Sequence, residues 1–380
     1  MIGAAIFWGS ALLLFLTWVG YPLAVIALAR FVREQTPKAP LGESPSLSVV
    51  VAAYNEEKKI GDRIRSLLVE APNALEIIIG CDGCTDKTAE VSRAFGGKVR
   101  VLEFPTNRGR ALVHNDCIAQ ARGEVVLFTD AETRLGEGCV DRLMAAFSNP
   151  RVGGVSGRIV YVNADASPIG RSASAYWKFE EKLRVAESKI GILAFGTGAV
   201  LALRKNLYKP IRPTEDVDYA ATLDIALEGF RILYEPRALA FDFISETLSG
   251  AARTRERQTS RSFASIARRL LTRRALCRPG IWIGAVFHKS LRHLTFALLA
   301  GCFVGNLMSL GLCKGYGLAL VLQGVFYGFA VSGHVLHRRG QEVPRLLNLP
   351  YNFVSQSFFR GSGVLRTLRG RSIARYTTVR

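Results

Sequence analysis

Acidic residues are nearly absent from the last third of this chain. Residues 253–380 carry 21 Lys and Arg but only two acids, Glu256 and Glu342. The net formal charge of the 380-residue chain is +19, so the whole surplus lies there, and residues 1–252 balance at 29 basic and 29 acidic. Histidine is scarce, with five residues at 114, 288, 293, 334 and 337. They mostly flank apolar segments, which reads as an interface role. The seven cysteines are odd in number and irregularly spaced, which excludes a disulfide framework. The glycines follow no period and no low-complexity tract or internal repeat occurs, which excludes collagen-like and repeat architectures. A hydrophobic content of 49% excludes a disordered chain and exceeds that of an ordinary soluble enzyme.

Charge is wholly missing from Ile2 to Ala29. That run exceeds the ~20 residues needed to cross a bilayer, and Trp8, Trp18 and Tyr21 suit its interfaces. Arg30 and Arg33 follow, which places the rest of the chain on the cytoplasmic side. Ala27-Leu28-Ala29 resembles a signal-peptide cleavage site. The run is too long for a signal's apolar core, however, and no basic segment precedes it. Residues 1–30 therefore read as a membrane anchor and 31–46 as a Pro-containing linker. Residues 251–280 form a basic amphipathic, interfacial segment. Residues 281–340 form a membrane hairpin, Leu294 to Leu312 and Tyr316 to Leu336, with cationic flanks at both ends. Residues 341–380 are an interfacial or re-entrant helix and a basic tail. Because the basic surplus interleaves with apolar runs, anionic lipid is the expected partner and nucleic acid is not.

Residues 47–250 read as a soluble α/β domain. Strands are expected at Leu47 to Ala53, Leu75 to Ile79, Val99 to Phe104 and Glu124 to Phe128. Helices are expected between them at Glu56 to Glu70, Thr85 to Phe95 and Gly109 to Ala121. Alternation of this kind implies crossovers and a mainly parallel sheet, with ligands beyond the carboxyl ends of the strands. Acids stand there: Glu56 in Ala53-Tyr54-Asn55-Glu56, Asp82 in Asp82-Gly83-Cys84-Thr85-Asp86, and Asp130 with Glu132 in Asp130-Ala131-Glu132. One such acid is an ordinary helix cap. Three groups at one sheet edge repel unless a cation compensates, and an all-oxygen set suits Mg²⁺ or Mn²⁺ shared with a nucleotide's phosphates.

This ordered set resembles the family 2 glycosyltransferases, inverting nucleotide-sugar enzymes of the GT-A fold, in their membrane-bound, cellulose-synthase-like branch. Val49 to Glu56 resembles the family's opening strand. Asp82 to Asp86 resembles its Asp-Gly-Ser-Thr-Asp loop, with Cys84 for Ser. Asn107-Arg108-Gly109-Arg110-Ala111 with Asn115 resembles its Asn-x-Gly-Lys stretch, with Arg110 for Lys. Asp130-Ala131-Glu132 is similar to its metal-binding Asp-x-Asp. The resemblance implies that Ala53, Tyr54, Glu56, Asp82, Arg110, Asn115 and Asp130 hold the nucleotide sugar. It likewise implies that Asp130 and Glu132 hold the metal.

The catalytic base is expected in Thr214-Glu215-Asp216-Val217-Asp218. The string Thr-Glu-Asp points by eye to Asp216. The family's spacing to the Gly-aromatic pair, here Gly229-Phe230, points to Asp218. Either could instead cap the following helix. Phe195-Gly196-Thr197-Gly198-Ala199 resembles an acceptor-side Gly-rich strand, with Thr197 and Gly198 as contacts; Tyr176 and Trp177 could stack on sugar. Gln258-Thr259-Ser260-Arg261 resembles the start of Gln-x-x-Arg-Trp, whose Trp position holds Ser262, which argues against processive synthesis. Gln258 and Arg261 would face acceptor or diphosphate. Cys81-x-x-Cys84 matches a redox or half-zinc spacing, but no partner pair completes it. The expectation is a membrane-anchored inverting glycosyltransferase with a cytoplasmic active site, a UDP-linked donor and a saccharide or lipid-linked acceptor. The alternative is a catalytically silent, nucleotide-binding membrane subunit of a polysaccharide assembly complex.

Overall fold

The computed structural model describes residues 1–32, 44–163, 168–243 and 248–371. Arg33, most of the 31–46 linker and the end of the basic tail lie outside the described residues. Eight strands form one mixed sheet among them: β1 Leu47–Ala53, β2 Glu76–Asp82, β3 Val99–Phe104, β4 Val125–Asp130, β5 Arg134–Leu135, β6 Val152–Tyr161, β7 Leu201–Arg204 and β8 Arg231–Asp242. Their order is β3-β2-β1-β4-β7-β6-β8-β5.

The first half is the parallel sheet that the alternation implies. β1 pairs in parallel with β2 and β4, and β2 with β3. The side-chain period of two sends Val49 and Val51 to one face and Val50 to the other. The first face packs with Ile77 and Ile79 on helix Ile60–Glu70; the second, with Ile78 and Phe128, packs on helices Arg110–Gln120 and Val217–Leu227. Burial on both faces explains why β1 and β2 are continuous apolar runs.

Register sets the site. Ala53 stands opposite Cys81 and Ala52 opposite Asp130, so three acid-bearing strand ends share one edge. β7 runs antiparallel to β4, with Leu201 opposite Phe128. The turn before β7 therefore arrives at that same edge. The Phe195–Ala199 segment, expected as a strand, is this turn.

Ile2–Phe31 is a continuous apolar helix with a π-helical turn at Leu16–Gly20. It and Lys314–Arg338 are the two described helices long and apolar enough to cross a membrane. Thr295–Leu307 is 13 residues, about 20 Å, short of a ~30 Å hydrocarbon core. The two arms expected of 281–340 are thus unequal. Gly301 and Gly305 let this shorter helix meet the N-terminal one. A Cβ on Gly305 would stand 2.5 Å from the Phe7 amide nitrogen, the close approach that small residues four apart permit. Helix Arg345–Leu368 lies along helix Leu248–Leu270, with Gly363 against the Glu256 carbonyl.

Candidate active site

Asp82 ends β2 with its carboxylate buried. Its two oxygens accept the backbone N–H groups of Arg108 and Gly109, each at 2.8 Å. Gly109 sits at φ 91°, and at Gly83, φ 67°, a Cβ would collide with the Thr106–Asn107 backbone. Asp82 thereby fixes the loop that launches helix Arg110–Gln120. Asn55, the one described non-glycine residue with positive φ, accepts from the Thr85 amide at 2.9 Å and ties the end of β1 to the β2 loop. Glu56 opens the next turn, its amide donating to Thr88 Oγ1 at 2.8 Å. Ala53 is buried and Tyr54 half-buried beside it.

Arg110 crosses the edge. It pairs with Asp130 at 2.6 Å and donates to the Gly198 carbonyl at 3.3 Å. A Cβ on Gly198 would lie 3.0 Å from Arg110 Nη2 and 3.7 Å from the Asp218 carboxyl carbon. Arg110, Asp130, Gly198 and Asp218 therefore surround one point. The Asp218 carbonyl accepts the Gly196 amide at 2.9 Å, which fastens the turn to helix Val217–Leu227.

The two candidate bases differ in surroundings. Asp216 occupies the N-cap position without a side-chain cap bond and pairs instead with Arg261 Nη1 at 3.0 Å. Asp218 lies in the first turn. Burial and then the charge of Asp216 push its carboxyl up to about 7, against the pull of Arg110 and Arg184.

Asp130 and Glu132 each hold a protein cation, Arg110 for the first and Lys59 at 3.0 Å for the second. Asp242, the last residue of β8, joins them. Its carboxyl is pushed up to about 6, first by burial and then by the charges of Asp130 and Glu132. Among the described residues no group of three His, Cys, Asp or Glu is closed enough to hold an ion. The donors are nonetheless carboxylate oxygens that repel one another. That set fits a hard divalent cation taking its remaining ligands from phosphate and water.

Other placements amend the sequence expectations. Asn115 is committed within the fold: it donates to the Ile211 carbonyl at 2.8 Å and accepts from Tyr208 and the Ile211 amide. Gln258 is exposed, whereas Arg261 is buried against Asp216. The basic segment is not simply a lipid-facing helix. Arg268 and Arg269 both reach the buried Glu215 at 2.9 Å, and Arg269 also holds Asp224 at 2.7 Å. Ser262 donates to or accepts from His293 at 2.9 Å. His114, His288 and His293 are buried, so the interface reading suits only His334 and His337. Tyr176 and Trp177 pack on the ion network of helix Pro168–Ile190, Tyr176 donating to Glu180 at 3.2 Å.

Three contributors went unnoticed in the sequence. Arg63 is buried and donates to the Asp130 carbonyl at 3.2 Å and to Thr129 Oγ1 at 2.9 Å. A charge on the apolar face of helix Ile60–Glu70 was the signal. Arg184 donates to Thr197 Oγ1 at 2.6 Å. Asp242 gave no local signal, since β8 reaches the site only through sheet order.

The family model Glycosyl transferase family 2 matches residues 48–211, the segment that carries all three acid-bearing strand ends. Residues 48–211 are thus similar to a family 2 glycosyltransferase domain. The matched segment and its flanks are 29% identical, over 60% of this chain, to poly-beta-1,6-N-acetyl-D-glucosamine synthase of Staphylococcus epidermidis. Identity is 26% to the protein of the same name in Staphylococcus aureus. The matched segment spans 57% of the length of these relatives. The fold is shared with mannosyltransferase PcManGT from Pyrobaculum calidifontis, solved in complex with GDP-Man and Mn²⁺. The TM-score is 0.69 at 18% identity, covering 97% of this chain and 99% of that one. The shared fold thus takes in the GT-A-like sheet and the apolar helices beside it.

Proposed function

We propose that this chain is a membrane-bound inverting glycosyltransferase. It transfers a sugar from a nucleotide sugar, UDP-linked by our reading, to a saccharide or lipid-linked acceptor in cell-surface polysaccharide or glycolipid synthesis. The observation that carries the reading is the meeting of Arg110, Asp130, Gly198 and Asp218 at one edge. A donor-side acid, a bridging cation, a glycine whose missing side chain would fall between them and a carboxylate with a pKa near neutrality are the parts that single-displacement transfer needs.

Asp82 and Asn55 hold the two loops between which the nucleoside would lie. Arg110 would turn from Asp130 toward the donor's diphosphate. Asp130 and Glu132, with Asp242 beside them, would hold Mg²⁺ or Mn²⁺; when bound, such an ion neutralises charge on the departing diphosphate. Asp218, ionised, would take the acceptor's hydroxyl proton while that oxygen attacks the anomeric carbon opposite the diphosphate. The glycine at 198 leaves space for the acceptor against the backbone. Asp216 is the weaker candidate because Arg261 already engages it. The names of the relatives support a polysaccharide product, and that of the structural neighbour supports a nucleotide-sugar donor with a divalent ion. With helices Ile2–Phe31 and Lys314–Arg338 in a membrane and Arg30 just inside, the sheet domain would lie in the cytoplasm.

The test is turnover of a panel of labelled nucleotide sugars by the full chain in native membranes, with and without EDTA. Metal-dependent transfer from one donor is expected. UDP binding without transfer from any donor would instead identify a silent nucleotide-binding subunit.

A further inference from the structure

Outside the sheet edge, a second cluster of charge is buried where the apolar helices meet the sheet domain. Glu180 receives Lys289 at 2.5 Å, Arg292 at 2.8 Å, His288 at 2.9 Å and Arg184 at 3.3 Å. Glu187 receives His288 at 2.8 Å and the Tyr21 hydroxyl at 2.5 Å. Against the burial that would raise it, His288, Lys289 and Arg292 hold the Glu180 carboxyl well below the usual range. The single carboxylate of Glu180 thus serves Arg184, Lys289 and Arg292, and two more guanidinium groups, of Arg255 and Arg360, stand beside them.

Arg360, 5% exposed, lies over the rings of Trp18 and Tyr176 at 5.7 and 5.6 Å and has no carboxylate partner among the described residues. Among the described residues Arg255 donates to the uncharged Gln356 amide, at 3.0 Å, and pairs with no carboxylate. Arg292 is 1% exposed and uses Nη1 for Glu180, while its Nε and Nη2 find no acceptor among the described residues. His293 Nδ1 is likewise buried without a partner. Buried guanidinium groups lacking acceptors are costly unless an anion meets them.

The geometry points to a binding site for the phosphate or diphosphate of a membrane lipid, formed by Arg292 and Arg360 over Trp18 with Arg255, which reaches Gln356 one turn before Arg360. Guanidinium forks match phosphate oxygens in pairs. The surroundings favour an apolar tail. Trp18 belongs to the uncharged N-terminal helix and meets Phe353 at 5.2 Å, which meets Phe326 of the second long apolar helix at 6.3 Å. The π-helical turn that contains Trp18 is of the kind found at functional positions. One ion-pair chain, Arg292–Glu180–Arg184, leads from this arginine cluster to Thr197 in the turn beside Asp218. Presentation of a lipid-linked acceptor from here rests on the transferase reading; the binding itself does not.

Binding of farnesyl phosphate, farnesol and inorganic phosphate to the full chain in phosphatidylcholine nanodiscs tests this, read by thermal stabilisation. Farnesyl phosphate should stabilise the protein and farnesol should not. Arg360→Met should bind farnesyl phosphate roughly ten- to a hundredfold more weakly, the loss of one charged hydrogen-bonding group. The ligand-free variant should unfold no earlier than the wild type and should bind UDP unchanged. Arg360→Lys should recover part of the affinity, and Arg255→Gln provides a second loss should Arg360→Met fold poorly. Inorganic phosphate matching farnesyl phosphate, with the same Arg360 dependence, would keep the anion chemistry and assign a soluble source, overturning the lipid. Equal binding by the variants, equal binding of farnesol, or no binding at all would overturn the site. Each arm reads without sugar transfer, so a protein that turns over no donor could still uphold it.

Discussion

Replacing Asp216 by Asn should shift the acid limb of the pH–rate profile to lower pH. Asp218 has its carboxyl pushed up to about 7, by burial first and by the Asp216 charge second. A base with that pKa is ionised in about one molecule in ten at pH 6 and about nine in ten at pH 8. Wild-type transfer at saturating donor should therefore rise about tenfold across that interval. Asp216→Asn removes the like charge and releases Arg261 from its 3.0 Å pair. Both changes favour the ionised form of Asp218, so the limb moves down and the rise from pH 6 to 8 shrinks. The assay is initial rate against pH from 5 to 9 for both proteins, with donor binding measured in parallel. A limb that stays in place or moves up would refute the electrostatic argument. Loss of all activity in Asp216→Asn with donor binding intact would move the base to Asp216. The same shift has a stability side. A carboxyl whose folded pKa exceeds its unfolded ~3.9 loses stability as pH rises toward 7. Asp218→Asn should consequently unfold at a higher temperature than the wild type above pH 7, with the gain vanishing near pH 4.

Gly198→Ala should lower turnover by roughly ten- to a hundredfold while changing UDP affinity little, because its methyl would press on Arg110 and crowd Asp218; steady-state rates and a UDP isotherm check both halves. Glu215→Gln should destabilise the chain by about 1–2 kcal/mol, since it removes the buried carboxylate facing Arg269, which keeps Asp224, while half-exposed Arg268 can turn to water; denaturant unfolding reads it. Among the four cysteines of the sheet domain, Cys84 should alkylate first. The Cys81 hydrogen bond is the main cause that lowers its thiol to about 7, whereas burial leads in raising Cys117 and Cys139 to about 12. UDP should slow the labelling, which peptide mass spectrometry would follow.

The alternation of strands and helices was legible because β1 through β4 obey local rules. Leu47–Ala53 and Val99–Phe104 stand where the pattern puts them, and helix Arg110–Gln120 starts one residue after the left-handed Gly109. The strand-end acids were legible for the same reason, since a parallel sheet brings successive strand ends to one edge. What sequence did not reveal depends on distant pairings. Asp242 reaches Asp130 only because β8 pairs with β6. The basic segment read as lipid-facing because its partners Glu215, Asp216 and Asp224 lie 45 or more residues away in sequence. Asn115 matched a motif, yet its amide is taken up by Ile211 and Tyr208, contacts that spacing does not report. The 13-residue Thr295–Leu307 reads as a full span in composition and is short only in extent.

The most direct test of the account separates donor binding from proton removal at Asp218. The full chain and its Asp218→Asn variant would be given a nucleotide-sugar donor with Mn²⁺, with the bound donor and the transferred sugar measured in the same samples. The account predicts that the variant binds donor within a few-fold of wild type and transfers sugar at least about a hundredfold more slowly. Transfer at the wild-type rate by Asp218→Asn would contradict it.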